Sequence, residues 1–162
     1  MFKVIYIMGV SGSGKTTIGQ QLSAATGYVF YDADNFHTKE NVAKMHTGIA
    51  LTDEDRWPWL KNINYFVTEK ITTANIIFGC SALKKVYRNH LGSGIEDYCR
   101  WVYLKGDYDT ILERLNFRTD HFMPPALLQS QFDALEIPED AIQIDIRQTH
   151  ENIIAQIIKG IH

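Results

Sequence analysis

Five short apolar runs punctuate this chain, and the stretches between them space their apolar residues at helical intervals. The runs are Lys3 to Met8, Tyr28 to Tyr31, Ile76 to Cys80, Trp101 to Leu104 and Ile142 to Ile146. Their interiors are nearly continuous in apolar residues, which fits strands covered on both faces, as in a parallel sheet. Between them, Thr16 to Ala25 continues as a helix, and Asp53 to Thr73 places Trp57, Leu60, Ile63, Phe66 or Val67, and Ile71 along one helical stripe. Either Thr52 or Asp53 is suited to cap that long helix. Asp107 to Arg118 reads as a further helix stopped before Pro124 and Pro125, and Thr149 to Ile158 as a final amphipathic one. This alternation predicts an α/β domain: a central parallel sheet of five strands flanked by helices, in three layers. No repeat, low-complexity tract or linker divides residues 1–162, a length that suits one domain.

The joint between the first strand and the first helix carries the most specific chemistry. Gly9-Val10-Ser11-Gly12-Ser13-Gly14-Lys15-Thr16 matches the phosphate-binding loop pattern Gly-x-x-x-x-Gly-Lys-[Ser/Thr] at every fixed position. Such a loop turns backbone amides and a helix start toward phosphate. Gly9, Ser11, Gly12, Ser13, Gly14, Lys15, Thr16 and Thr17 are therefore the expected nucleotide-binding residues. Lys15 adds a mobile positive charge, and Thr16 a hydroxyl for the Mg2+ ion that accompanies the nucleotide. A chance glycine-rich turn would require neither side chain.

The second run ends Phe30-Tyr31-Asp32-Ala33-Asp34, and ligands of open parallel sheets bind beyond the carboxyl ends of the strands. Residues two apart on an extended segment face the same side, so both carboxylates are expected to face the phosphate loop. Asp32 then holds magnesium through water, and Asp34 accepts the proton of an attacking hydroxyl. The alternative is a pair of solvated turn residues capping the next helix. His37 reads as a structural hydrogen-bonding residue.

From His37 to Leu60 the chain reads HTKENVAKMHTGIALTDEDRWPWL, a block that resembles the gluconate kinase family. The resemblance continues through Cys80 to Arg88, Tyr103 to Asp107, His121-Phe122-Met123, Gln131-Phe132 and Leu135-Glu136, covering nearly the whole chain in family order. Ala33 stands where the family often has Gly, Thr38 and Ala50 where Pro is common, and Asp120 where Gly is usual; none of these departures removes a candidate reacting group. The resemblance implies a P-loop kinase fold of the nucleoside monophosphate kinase type, with a mobile lid over about residues 118–135. It further implies phosphoryl transfer from ATP to the 6-hydroxyl of D-gluconate, a requirement for Mg2+, and a homodimer. Lys15, Asp34 and Arg118 are the catalytic residues so implied.

A sugar acid needs a fork of positive charge at one end and hydrogen-bonding groups along its length. Arg56 is the expected carboxylate ligand, unless it pairs with Asp53 or Asp55 on a solvated helical face. Ser81 is expected to cap a helix after the third strand and to meet the substrate. On that helix Lys84 and Arg88, four apart, share a face suited to an anion or simply to water, and Lys85 is solvated. Lys44 and Met45 lie in the substrate-side block without an assigned contact. Trp57 and Trp59 either line the sugar pocket or pack in the core. Arg114 and Arg118 resemble the paired arginines of a kinase lid, the first stacking on adenine and the second reaching the phosphates. Salt bridges to Asp109 or Glu113 are the alternative. His121 and Gln131, in the lid segment, are expected to reach phosphate or sugar.

Composition narrows the partners. A net charge of −3 and a pI near 6.0 argue against a broad basic face for nucleic acid. Cys80 and Cys99 form neither a disulfide framework nor a metal spacing, which suits a reducing cytosol. No apolar stretch is long enough to span a bilayer, so no membrane partner and a cytoplasmic location are expected. The competing functions are a shikimate-like or nucleotide kinase, and a non-catalytic nucleotide-dependent switch. Lys15, Thr16, Asp34 and Arg118 together argue against the switch, since binding alone needs no hydroxyl-activating carboxylate.

Overall fold

Strand β1 (Val4–Met8) feeds two cores at once: Val4, Tyr6 and Met8 enter one hydrophobic cluster and Ile5 and Ile7 the other, all with 0% exposure. The computed structural model describes residues 1–118 and 127–162. With β2 (Val29–Asp32), β3 (Ile76–Gly79), β4 (Cys99–Lys105) and β5 (Ile142–Asp145), β1 forms a parallel five-stranded sheet in the order β2-β3-β1-β4-β5. Ile5 pairs in register with Ile77 on one flank and with Arg100 on the other. The five strands expected from the apolar runs are thus present, with β1 in the middle.

The described α-helices are α1 (Lys15–Thr26), α2 (Lys39–His46), α3 (Asp53–Lys70), α4 (Lys85–Gly92), α5 (Tyr108–Asn116), α6 (Leu128–Ala134) and α7 (His150–Ile161). Leu60, Ile63 and Val67 of α3 and Leu91 of α4 cover one face of the sheet. Ile18 and Leu22 of α1, Ile111 of α5, and Ile153 and Ile157 of α7 cover the other. Each fully buried aliphatic side chain contributes about 1.5–3 kcal/mol, so the three layers are held chiefly by these two cores.

The capping chemistry is explicit. Thr52 and Asp55 form a reciprocal capping box, each side chain accepting from the other's backbone amide, so Thr52 rather than Asp53 caps α3. Asp107 and Thr149 cap α5 and α7. Several helix boundaries differ from the sequence expectation: α1 is longer by one residue at each end, and α7 runs on to Ile161. Helix α3 stops at Lys70, where the hydroxyls of Thr72 and Thr73 turn back onto the carbonyls of Glu69 and Lys70. Helix α5 stops at Asn116, which leaves Arg118 beyond its end. Helix α4 starts at Lys85 instead of Ser81, because Ala82 takes a left-handed φ of 45° that no helix accommodates.

Candidate functional site

The phosphate loop leaves β1 through Gly9 and turns into α1. A Cβ on Gly9 would lie 2.7 Å from Ser13 Oγ and 3.0 Å from the Leu104 carbonyl, and Gly12 holds a φ of 83° with Leu115 3.0 Å from where its Cβ would be. Only glycine fits either place without displacement. Gly14 precedes α1 and offers no side-chain cap, leaving the first amides of the helix to an external acceptor. Lys15 Nζ donates to the carbonyls of Gly9 and Val10 at 3.0 Å each. Burial pulls its pKa down, while Asp34 and Asp32 pull it up. Ser13 Oγ is buried and has no hydrogen-bond partner among the described residues. Ser11, Gly12, Gly14, Lys15 and Thr16 line a cavity at the carboxyl ends of the strands; Thr17, one residue on, is exposed and outside that lining.

Asp32 and Asp34 both line this cavity, but not by strand alternation. The strand ends at Asp32, and Ala33–Phe36 form a 3-10 turn whose Asp34 amide donates to Asp32 Oδ1 at 2.9 Å. Asp32 is therefore both the cap of that turn and a site residue, for its Oδ2 accepts from Thr16 Oγ1 at 2.7 Å. Asp34 keeps accessible surface yet sits down in the concavity, where desolvation first and the charge of Asp32 second raise its pKa to about 6 against the pull of Lys15.

Arg56 lines the same cavity from the first turn of α3. Its Nη1 donates to the Leu51 carbonyl, and its guanidinium lies 5.3 Å from the centre of the Tyr87 ring. The solvated pairing that the sequence left open is not formed, because both acids are engaged elsewhere. Asp55 takes Lys44 Nζ at 2.7 Å, and Asp53 takes Tyr87 Oη and, at 3.2 Å, Lys84 Nζ. The Tyr87 bond chiefly, then Lys84, holds the Asp53 carboxyl below its ordinary range.

The two tryptophans part company. Trp59 lines the cavity and donates Nε1 to the Ala33 carbonyl at 2.9 Å, whereas Trp57 packs against Tyr87 and His90. His37 stacks on Trp59 with ring centroids 4.1 Å apart and planes at 12°. Burial first and Arg56 second lower the His37 pKa to about 4, so the ring is neutral, and its buried Nδ1 has no partner among the described residues. His37, Met45, Leu51, Leu83 and Tyr87 join the lining without having been singled out for it from the sequence. The available signal was positional: His37 opens the family block, and Met45 and Leu51 lie within it.

Two expectations on the Ser81 segment are corrected. Ser81 lines the cavity but caps no helix. Lys84 and Arg88 do not share an anion-binding face: Lys84 turns to Asp53 in a neighbouring groove, and Arg88 Nη1 turns inward to the carbonyls of Ala82 and Leu83 at 2.9 and 3.1 Å. Arg88 is not among the described residues lining the cavity.

The two lid arginines also diverge, because α5 ends between them. Arg118 lines the cavity, and Arg114 Nη2 donates to the Ile146 carbonyl at the end of β5 at 2.8 Å. Gln131 of α6 lines the cavity as well, and its Oε1 accepts the Ser11 amide at 2.6 Å, placing it on the phosphate loop. His121 lies outside the described residues.

One cavity thus joins a phosphate loop to an acidic pair and to Arg56, Ser81 and Arg118. A family model for shikimate kinase matches residues 11–159. The thermosensitive gluconokinase of Escherichia coli strain K12 is 46% identical over 157 residues, covering 93% of this chain and 82% of that protein. The chain belongs to the gluconokinase family. The gluconokinase of Arabidopsis thaliana is 45% identical over 150 residues, covering 85% of this chain and 79% of its own length. The crystal structure of a gluconokinase from Sinorhizobium meliloti 1021 superposes with a TM-score of 0.87 at 39% identity, covering 97% of this chain and 90% of that one. Like the family, the chain is an ATP-dependent P-loop kinase.

Proposed function

We propose that this protein transfers the terminal phosphoryl group of ATP to the 6-hydroxyl of D-gluconate, releasing 6-phosphogluconate and ADP. The observation that carries the reading is the single cavity in which Lys15, Thr16 and Arg118 meet Asp34, Arg56 and Ser81. Family membership supports gluconate as the acceptor.

The chain's own groups divide the work. The loop amides and Lys15 take the phosphates, and Arg118 meets the charge that spreads over the moving phosphoryl group. Asp34, with a pKa near 6, is ionised at neutral pH yet basic enough to accept the 6-hydroxyl proton as the new phosphorus–oxygen bond forms and the bond to ADP breaks. Arg56 takes the gluconate carboxylate with its planar fork, and neutral His37 exchanges a hydrogen bond with a sugar hydroxyl. Thr16 and Asp32 offer oxygen donors that suit Mg2+. When bound, it would neutralise phosphate charge.

No helix among the described residues is long and apolar enough to cross a membrane. The family resemblance supports a cytoplasmic homodimer, which sedimentation would test. The function itself is tested by ADP release over gluconate, other aldonates, shikimate and nucleoside monophosphates. The highest kcat/KM is expected for gluconate, with Lys15→Ala inactive yet folded. A preference for shikimate or a nucleotide would replace the reading.

A further inference from the structure

We infer that Arg88, which does not touch the cavity, is the positioning residue that holds the acceptor wall in place. Beyond β3 the chain turns through Ser81, Ala82 and Leu83. Ala82, at a φ of 45°, is the one non-glycine residue with positive φ among the described residues, a conformation that L side chains avoid. Ala82 and Leu83 are 1% and 4% exposed, so the carbonyls of this turn need protein donors. Arg88, itself 8% exposed, supplies them: one nitrogen serves both the Ala82 and the Leu83 carbonyl.

The turn is tied on two other sides. The Leu83 carbonyl also accepts the Glu136 amide at 2.9 Å, and Glu136 Oε2 accepts the Lys85 amide at 2.7 Å, joining the turn to the segment after α6. The Ser81 carbonyl accepts the Gly9 amide at 3.4 Å, joining it to the phosphate loop. Ser81 and Leu83 both line the cavity, so their distance from the phosphate loop depends on this turn keeping its shape. Without the guanidinium both buried carbonyls lose a donor, Ala82 relaxes toward an ordinary φ, and the wall withdraws from the acceptor. The loss falls on acceptor binding and spares the nucleotide side.

The kinetic arm of the test rests on the gluconokinase reading; a second arm does not. Arg88→Met is expected to raise the KM for gluconate about tenfold while the KM for ATP stays within about twofold, and to speed hydrogen exchange of the Glu136 amide in the substrate-free protein. Arg88→Lys, which keeps a charged donor but on a differently shaped side chain without the planar guanidinium, should fall between. Adding Ala82→Gly to Arg88→Met should recover most of the gluconate KM, because glycine holds the left-handed turn without strain. A folded Arg88→Met variant with wild-type gluconate KM and wild-type exchange at Glu136 overturns the inference, as does a double variant that recovers nothing. If Arg88→Met does not fold, Arg88→Lys carries both measurements. If the wild-type protein does not phosphorylate gluconate, the proposed function fails on its own, and exchange at Glu136 decides the role of Arg88.

Discussion

Thr16 Oγ1 donates a 2.7 Å hydrogen bond to Asp32 Oδ2, so the first helix and the edge strand β2 meet in one hydroxyl and carboxylate pair. The other oxygen of Asp32 accepts the Asp34 amide, so a single side chain ties Thr16 to the turn that carries Asp34. Asp32→Asn keeps the size and loses the charge. It is expected to raise the Mg2+ concentration for half-maximal activity about tenfold, with partial recovery at high Mg2+. A magnesium titration at fixed ATP checks this; an unchanged midpoint takes Asp32 away from the ion.

Asp34 predicts the acid side of the pH profile. With its pKa raised to about 6, kcat/KM for gluconate should fall as pH drops through that value and the base becomes protonated. Asp34→Asn should lower kcat about a hundredfold and abolish this limb. Stability runs the other way. The folded protein binds this proton more tightly than the unfolded chain, so the contribution favours folding at low pH and is lost as pH rises through about 6. At pH 8 the variant should therefore melt at or above the wild-type temperature. Melting curves and rate profiles on the same preparation separate the two effects.

Arg56→Lys retains a charge but not the fork, and it loses the contact over the Tyr87 ring. The KM for gluconate should rise about tenfold or more with little change in that for ATP. Steady-state kinetics with each substrate varied in turn decide it. Equal effects on both constants would move the carboxylate site elsewhere.

Arg118 and Arg114 should respond differently to removal, since only the first lines the cavity. Arg118→Ala is expected to lower kcat by roughly ten- to a thousandfold with a smaller change in ATP binding. Arg114→Ala should mainly weaken nucleotide binding, because its bond to the Ile146 carbonyl anchors α5 beside the end of β5. Equilibrium nucleotide binding alongside single-turnover rates distinguishes them, and the assignment fails if Arg118→Ala alters affinity alone.

Local physics accounts for the features that the chain determines by itself. Continuous apolar runs can satisfy both faces only inside a covered parallel sheet, and a glycine loop between strand and helix leaves amides aimed at phosphate, so the architecture and Lys15 with Thr16 were legible in order along the sequence. Arg56 was legible as a cation, but its freedom from Asp53 and Asp55 was not, because Tyr87, Lys84 and Lys44 claim those acids from other elements of the fold. The fate of Arg88 turned on a backbone conformation that residue spacing does not reveal. Helical spacing placed it beside Lys84, whereas a left-handed Ala82 delayed the helix and left two buried carbonyls for its guanidinium to meet. Tertiary structure alone made His37 a cavity residue: its stacking partner Trp59 lies on α3, brought there by core packing that no local pattern specifies.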